Sequence, residues 1–434
     1  MLFILKKRGS MKKIFVQLSL ALSVSLFAQS YTISQIPLPK TYIFNLSPYE
    51  CNEDCLEEYL QKGMVFSFLA NINDTNVSRE KLLEMKNIYV SIFNLGASTI
   101  AKQIRIAMLI PYKKIGKYAT TTTNAVFAYL MTKNYSFELK SFSIESESYE
   151  DIQQAFEEIE EEGFKYVIAP LTYQGLEQLF ALGVEQNIYI PTINKEDLED
   201  IPENFYFGGI DYKEQSKVLL QHAASPLVIF YDTSYTGEKL RDIQKSIFLD
   251  HVEDNTDLFT DNYEQEDDKK VFIFPVSSHN SNLKNILKDN DDLNNSSVVL
   301  DTPLVKSGLI MSQLTLYDVN TTNILSTQIN YDPLLLSITQ YEDRKQMIIA
   351  NSITEKNDIL IETNALLKND ISYDWINYTT TIGIDYFFSM IAGTQRVYKI
   401  PLINNQVIYP IELKVPSYSS FVPYSSSSVE ESSL

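Results

Sequence analysis

The stretch IRIAMLIPYKKIGKYATTTTNAVFAYL, residues 104–130, decides the fold. Its first eight residues form a nearly continuous apolar run of strand length, the pattern of a strand covered by helices on both faces. A polar loop, YKKIGK, follows, and a helix-compatible segment runs from 118 to 131. FELKSFSI (137–144) then alternates as a strand should, and YEDIQQAFEEIEEEGF (149–164) places Ile152, Ala155, Phe156 and Ile159 at helical spacing before Gly163. KYVIAPLT (165–172) reads as strand, GLEQLFALGVEQN (175–187) as helix and IYIPTIN (188–194) as strand, and FYFGGI (205–210) closes this half.

The rhythm restarts after Ala224, with strands at PLVIFYDTS (226–234), VFIFPVS (271–277) and SVVLDTP (297–303). Helices are expected between them at GEKLRDIQKSIFL (237–249) and NLKNILKD (282–289). Repeated strand–helix–strand units with short connections imply parallel sheets with right-handed crossovers. The fold class expected is therefore α/β, two doubly wound parallel-sheet lobes around a cleft. The acid-rich run 254–269 reads as a surface loop.

Later segments are looser. ILSTQINYDP (324–333) is expected as a strand returning to the first lobe, DILIETNALLKN (358–369) and DWINYTTTIGIDYFF (374–388) as helices, and 397–413 as a β-hairpin around Asn404 and Asn405. Ahead of the lobes, residues 31–101 lack this alternation and read as a small, mainly helical extension, with a helix over 54–69 and a helix or strand over 81–93. The organisation is thus a leader (1–30), the extension (31–101), lobe 1 (102–223), lobe 2 (224–322), a return segment completing both lobes (323–416) and a serine-rich tail (417–434) expected to be disordered.

The leader decides the compartment. From Met11 it reads MKKIFVQLSLALSVSLFAQS: a basic start, an apolar run from Ile14 to Phe27 shorter than a membrane span, then small residues at Ala28 and Ser30. This is the pattern of a cleaved secretory signal, and no cysteine follows it to accept a lipid. The expected product is periplasmic in a Gram-negative envelope, with no stable membrane insertion after cleavage. Removing the five basic residues of the leader takes the formal charge from -20 to -25. So acidic a chain is an improbable partner for nucleic acid or an anionic lipid surface.

The two cysteines, Cys51 and Cys55, lie four apart in SPYECNEDCLEEYL. One helical turn brings their Cα atoms within bridging range, and an oxidising compartment favours a disulfide. Three segments, DTNVS (74–78), DLNNS (292–296) and DVNTT (318–322), fit an extended acceptor pattern for bacterial N-glycosylation, so Asn76, Asn294 and Asn320 are candidate modification sites. His222, His251 and His279 each stand alone, and no hydrolase elbow, metalloprotease helix, phosphate loop or dinucleotide fingerprint is present. The chain reads as non-enzymatic, with no cofactor and no metal.

Taken in order, 104–130 and 149–194 resemble the first lobe of the type I periplasmic binding proteins, the group that includes leucine/isoleucine/valine receptors. In that family the opening strand ends in proline and a loop, a later strand of the form VIAP ends at a serine or threonine, and a further strand reads IPxI. The resemblance covers about 104–234. It implies lobes that close by a hinge over a small polar solute, which agrees with binding at the carboxyl ends of open parallel sheets. Carried over by position, it nominates Tyr112, Thr172, Tyr173 and Thr192 in lobe 1, with Tyr231, Asp232 and Ser234 facing them from lobe 2. The same residue types also cap helices. Only 13 glycines in the chain, Lys113 and Lys114 in the first loop, and the extension depart from the family pattern. Those departures suit a fold turned to protein contact, as in the related activators of penicillin-binding proteins. The expected partner is a small-molecule ligand or, alternatively, another envelope protein.

Overall fold

The computed structural model describes residues 43, 51–72, 77, 79–93, 104–133, 135–250, 269–277 and 283–425. The leader 1–30, Asn76, the acidic run up to 268 and residues 426–434 of the tail lie outside the described residues. The chain divides into two compact units, 1–100 and 101–434.

In the first unit, α1 (Glu53–Gln61), α2 (Val65–Asn71) and α3 (Glu80–Ile92) enclose Leu56, Phe68, Leu69, Ile72 and Leu82. The single helix expected over 54–69 is in fact two. Gly63, at φ 67°, turns the chain in a left-handed conformation between them. The segment 81–93 is helical. Asn52 caps α1 by accepting a hydrogen bond from the Cys55 N–H at 3.0 Å. Cys51 and Cys55 are joined by a disulfide, their Cα atoms 5.4 Å apart.

The second unit starts with β1 (Ile104–Pro111), buried along all of its length except Arg105, as an apolar run flanked by helices requires. The chain continues through α4 (Tyr118–Met131), β2 (Phe137–Ile144), α5 (Tyr149–Glu161), β3 (Tyr166–Ile168), α6 (Tyr173–Leu182), β4 (Asn187–Ile190) and β5 (Phe205–Phe207). It then crosses to the second lobe with α7 (Tyr212–Leu220), β6 (Leu227–Asp232), α8 (Tyr235–Asp250), β7 (Val271–Val276), β8 (Ser297–Asp301), α9 (Leu304–Leu316), β9 (Asn323–Ser326) and β10 (Met347–Asn351). Next, α10 (Asp358–Leu366) and α11 (Trp375–Ala392) return to lobe 1, where both pack on α4. The hairpin β11 (Leu402–Ile403) and β12 (Gln406–Val407) joins the first sheet, and β13 (Glu412–Pro416) with β14 (Phe421–Pro423) ends in the second.

Both sheets therefore have seven strands, ordered β11-β12-β5-β4-β3-β1-β2 and β14-β13-β10-β9-β8-β6-β7. Within each, the five strands of the doubly wound part pair in parallel; β11–β12, β10–β13 and β13–β14 pair antiparallel. Each lobe thus has the order 2-1-3-4-5, with its topological switch point between its first and third strands. Asn404 and Asn405, at φ 48° and 65°, form the hairpin turn read from sequence.

Three further expectations need correction. The boundary expected between 223 and 224 falls before Tyr212, because α7 packs on α8, β9 and β10 of the second lobe. The strand near 324 is β9, an interior strand of the second sheet between β8 and β10, because the short crossover through α9 keeps it in lobe 2. Of the tail expected to be disordered, residues 417–425 are ordered as β14 and its flanks, since Phe421 packs on Tyr331 at 4.8 Å and Tyr418 stacks on Tyr341 at 4.0 Å. Aromatic side chains among the serines supply the apolar surface that composition alone understates.

One buried network ties the return segment into lobe 1. Asp385, fully buried on α11, accepts hydrogen bonds from the Tyr129 hydroxyl at 2.7 Å, the Val397 N–H at 2.7 Å and Arg396 Nε at 3.1 Å. A buried charge is tolerated there because a cation and several donors surround it.

Candidate functional site

The loops that follow β1, β3 and β4 leave the carboxyl ends of lobe 1 strands and face α7 and α8 of lobe 2. Between them lies a cavity of about 770 Å³, within the range of small-molecule sites. A second hollow, of about 590 Å³, is lined, among the described residues, from α3 in the first unit. Of these two, the interlobe cavity draws its walls from both lobes and sits at a switch point.

Its floor is aliphatic, built from residues such as Leu171, Ile193, Ile210, Leu240 and Ile243. Its distinctive feature is a ring of aromatic side chains: Tyr118, Tyr173, Tyr212, Tyr235 and Trp375. Each is the first residue of its helix, respectively α4, α6, α7, α8 and α11. Five helix N-termini thus converge on one space, and each delivers a ring to it. Two pairs of rings meet: Tyr173 with Tyr235 at 5.5 Å and Tyr212 with Trp375 edge-on at 6.4 Å. Lys239 of α8 reaches toward lobe 1, its Nζ 3.3 Å from the Tyr173 hydroxyl and 5.3 Å from that ring's centroid.

Of the residues nominated from sequence, Thr172, Tyr173 and Thr192 line this cavity. The Thr172 hydroxyl donates to the carboxylate of Glu147, which also accepts the Thr172 N–H at 2.8 Å. Thr192 donates its hydroxyl to the Leu171 carbonyl. Tyr173 is therefore the one of the three whose side chain enters the ring of aromatics and touches lobe 2. Tyr112, Tyr231, Asp232 and Ser234 do not line the cavity. Tyr112 is directed to Glu145 at 3.2 Å, and the Arg241 guanidinium stacks over Tyr231 at 4.7 Å. Asp232 pairs with Lys306 at 3.3 Å, and Ser234 accepts the Gly237 N–H at 3.3 Å as a cap of α8. Because α8 starts directly after this turn, the helix itself reaches the cavity through Tyr235, Thr236 and Lys239, beside Tyr212 of α7.

Tyr118, Tyr212, Tyr235, Lys239 and Trp375 escape a search for polar strand-end residues. An aromatic residue opening a helix just after a strand end is the signal that finds Tyr212 and Tyr235; Lys239 and Trp375 carry no such mark. Burial sets their electrostatics. It pushes the Tyr118 phenol up to about 12, with Asp374 and Asp332 adding to the effect, and raises Tyr212 as well. Both phenols stay protonated donors at neutral pH. Burial also raises the carboxyl groups of Asp211 and Asp374, which cap α7 and α11.

Elsewhere, the two described sequon asparagines share one corner of lobe 2, where Asn294 Oδ1 accepts the Asn320 N–H at 3.0 Å. Asn320 is exposed, whereas Ser296 of the other sequon is buried. Among the described residues no cluster of histidine, cysteine or acidic side chains could hold a metal ion, and no helix is long and apolar enough to cross a membrane.

No protein-family model matches the sequence, and no curated protein matches it either. Solved structures do match in shape. A leucine-binding protein of Thermotoga maritima superposes with a TM-score of 0.52 at 12% identity, over 74% of this chain and 98% of its own. An amino acid ABC transporter substrate-binding protein of Pseudomonas fluorescens gives 0.52 at 11% identity, over 73% and 91%. A putative branched-chain amino acid ABC transporter protein of Rhodospirillum rubrum gives 0.53 at 8% identity, over 74% and 100%. Two 2-1-3-4-5 sheets, three chain crossings between them and a cavity at their switch points complete the agreement: the chain has the fold of the type I periplasmic binding proteins.

Proposed function

We propose that this chain is a non-enzymatic solute-binding protein of the Gram-negative periplasm, exported by the leader at 1–30, that closes two lobes on a small molecule for transport or sensing. The observation that carries this reading is the 770 Å³ cavity, walled by side chains of both lobes at the carboxyl ends of parallel strands. A solute in such a crevice stabilises the closed form by touching both walls. Of the similar structures named above, one is described as a leucine-binding protein and one as an amino acid ABC transporter substrate-binding protein, which supports the class of activity without identifying the solute.

The test is a thermal-shift screen of the mature chain against a metabolite library. Binding to the folded state adds about 2.7 kcal/mol at a ligand concentration of 100 times Kd, so one compound or chemical class is expected to raise the melting temperature by several degrees. A second reading, an envelope interaction protein on the same fold, has support in the apolar side chains that the first unit leaves exposed, among them Phe66 at 53% and Ile92 at 61%. If no compound shifts the melt and an envelope protein is captured only when residues 31–100 are present, the second reading replaces the first.

A further inference from the structure

Resting on the solute-binding reading, we infer that the cleft takes a flat, uncharged aromatic compound, held between rings, and not an α-amino acid or another solute anchored through its carboxylate. Two independent features lead there: what the cavity offers, and what it has already used.

What it offers is ring surface. Tyr118, Tyr173, Tyr212, Tyr235 and Trp375 enter from five helices and both lobes, over an aliphatic floor. Aromatic rings prefer offset or edge-to-face partners at centroid distances of roughly 4.5–7 Å. The pairs Tyr173–Tyr235 and Tyr212–Trp375, at 5.5 and 6.4 Å, already meet in this way. A planar ligand between the lobes extends these contacts and gives the closed state more ring contact than the open one.

What it has used is its anion-holding capacity. A helix N-terminus offers free N–H groups and a positive dipole end to an anionic ligand. At α6 that position is taken by Glu147, 4% exposed, whose carboxylate binds both the Thr172 N–H and hydroxyl. Gly175 admits it: a Cβ there would lie 2.8 Å from Glu147 Cδ. Asp211 caps α7 through the Glu214 N–H at 2.8 Å, and Asp374 caps α11 through the Ile376 and Asn377 N–H groups at 3.1 and 3.2 Å. The chain's own carboxylates thus fill three of the five convergent helix ends, and a ligand carboxylate would meet them as a like charge. Lys239 faces the space but is engaged with Tyr173, while Lys114 and Lys213 stand exposed at the margin.

Trp375 is the only tryptophan in the chain, so its fluorescence reports on this cavity directly. The experiment titrates the full chain with one- and two-ring aromatic carboxamides (benzamide and quinoline-carboxamides), with the matching carboxylates, and with leucine, reading Trp375 emission and melting temperature. At least one carboxamide is expected to saturate with a change in Trp375 emission and to bind ten times or more tighter than its carboxylate, with leucine inert. Tyr235→Ala, at a residue 64% exposed, is expected to weaken that binding about fivefold or more, with the unliganded melt unchanged. Glu147→Gln is expected to narrow the carboxamide preference. If leucine or another non-aromatic solute stabilises the chain and the aromatic series does not, the aromatic inference falls and the solute-binding reading stands. Equal affinity for carboxylates and carboxamides overturns the inference as well. If no solute of any class binds, both fall together.

Discussion

Asp301 ends β8 with its side chain 1% exposed and a single hydrogen bond, accepted from Gln244 Nε2 at 3.0 Å; its second oxygen is buried with no partner among the described residues. Burial pushes this carboxyl up to about 7, against the opposing pull of the Gln244 donor. Unfolded, the same group titrates near 4. Between those values the folded chain keeps a proton that the unfolded chain releases, so stability falls as pH rises through the window from about 4 to about 7 and is level above it. At about 1.4 kcal/mol per pKa unit, the loss from this one group is on the order of 4 kcal/mol. Asp301→Asn keeps an acceptor for Gln244 and removes the proton. Denaturant melts at pH 4.5, 6 and 8 are expected to show the variant gaining steadily on the wild type as pH rises. Parallel curves would mean that the carboxyl titrates normally in the fold. The position matters to the cleft because Gln244 belongs to α8, whose first turns carry Tyr235 and Lys239.

At the scale of elements, the clearest lesson lies in the C-terminal strand. Arg344, 2% exposed, donates from Nη2 to the carbonyls of Ser417 and Tyr418 at 3.0 and 3.1 Å, and from Nη1 to the Thr339 carbonyl at 2.5 Å. It thereby fastens the turn before β14. Hydrogen bonds to a charged donor contribute roughly 1.5–3 kcal/mol each in such settings. Arg344→Ala is expected to release residues 417–425, seen as limited proteolysis within that segment at least tenfold faster while the sheet core stays protected. An unchanged cleavage rate would assign the anchoring to Phe421 and Tyr418 instead. Sequence hid this strand because serine content outweighs three aromatic residues in any compositional reading. Strands such as β1, β6 and β8 were legible for the opposite reason: burial on both faces demands an apolar run, and 106–111 and 227–230 provide unbroken ones. The helix α9 and the strand β10 carry no comparable mark. α9 is apolar with little sidedness, and the apolar part of β10 is the four residues 347–350 between polar neighbours. The candidate site was legible only at Thr172, Tyr173 and Thr192, where a strand end and a helix start are adjacent. The other rings become one site only when tandem lobes point their helix N-termini at each other.

On the scale of the whole molecule, the question is what sets the spacing of the lobes. Three chain crossings, near 208–211, 352–357 and 408–411, join them, and the base of the crevice is tightly packed: the Tyr409 hydroxyl donates to the Gly208 carbonyl at 2.8 Å, and the Tyr189 hydroxyl to the Thr379 carbonyl at 3.0 Å. A pivot at that base leaves the mouth to be governed by contacts across it, where Tyr173 meets Tyr235 and Lys239. Such contacts are individually modest, about 0.5–2 kcal/mol for a cation over a ring and a similar amount for a ring pair. That is enough to shift an open-to-closed ratio by roughly two- to thirtyfold and too little to lock it. The double variant Tyr235→Ala/Lys239→Ala removes both bridges from exposed or half-buried positions without touching the hinge. Small-angle scattering of the unliganded variant is expected to give a larger radius of gyration than the wild type, with the same melting temperature within about two degrees. A saturating solute that still contacts both walls would draw the radius back toward the wild-type value. Identical radii for the two unliganded proteins would place control of the spacing in the packed base around Tyr189 and Tyr409, and the bridges would then be a consequence of closure, not a cause.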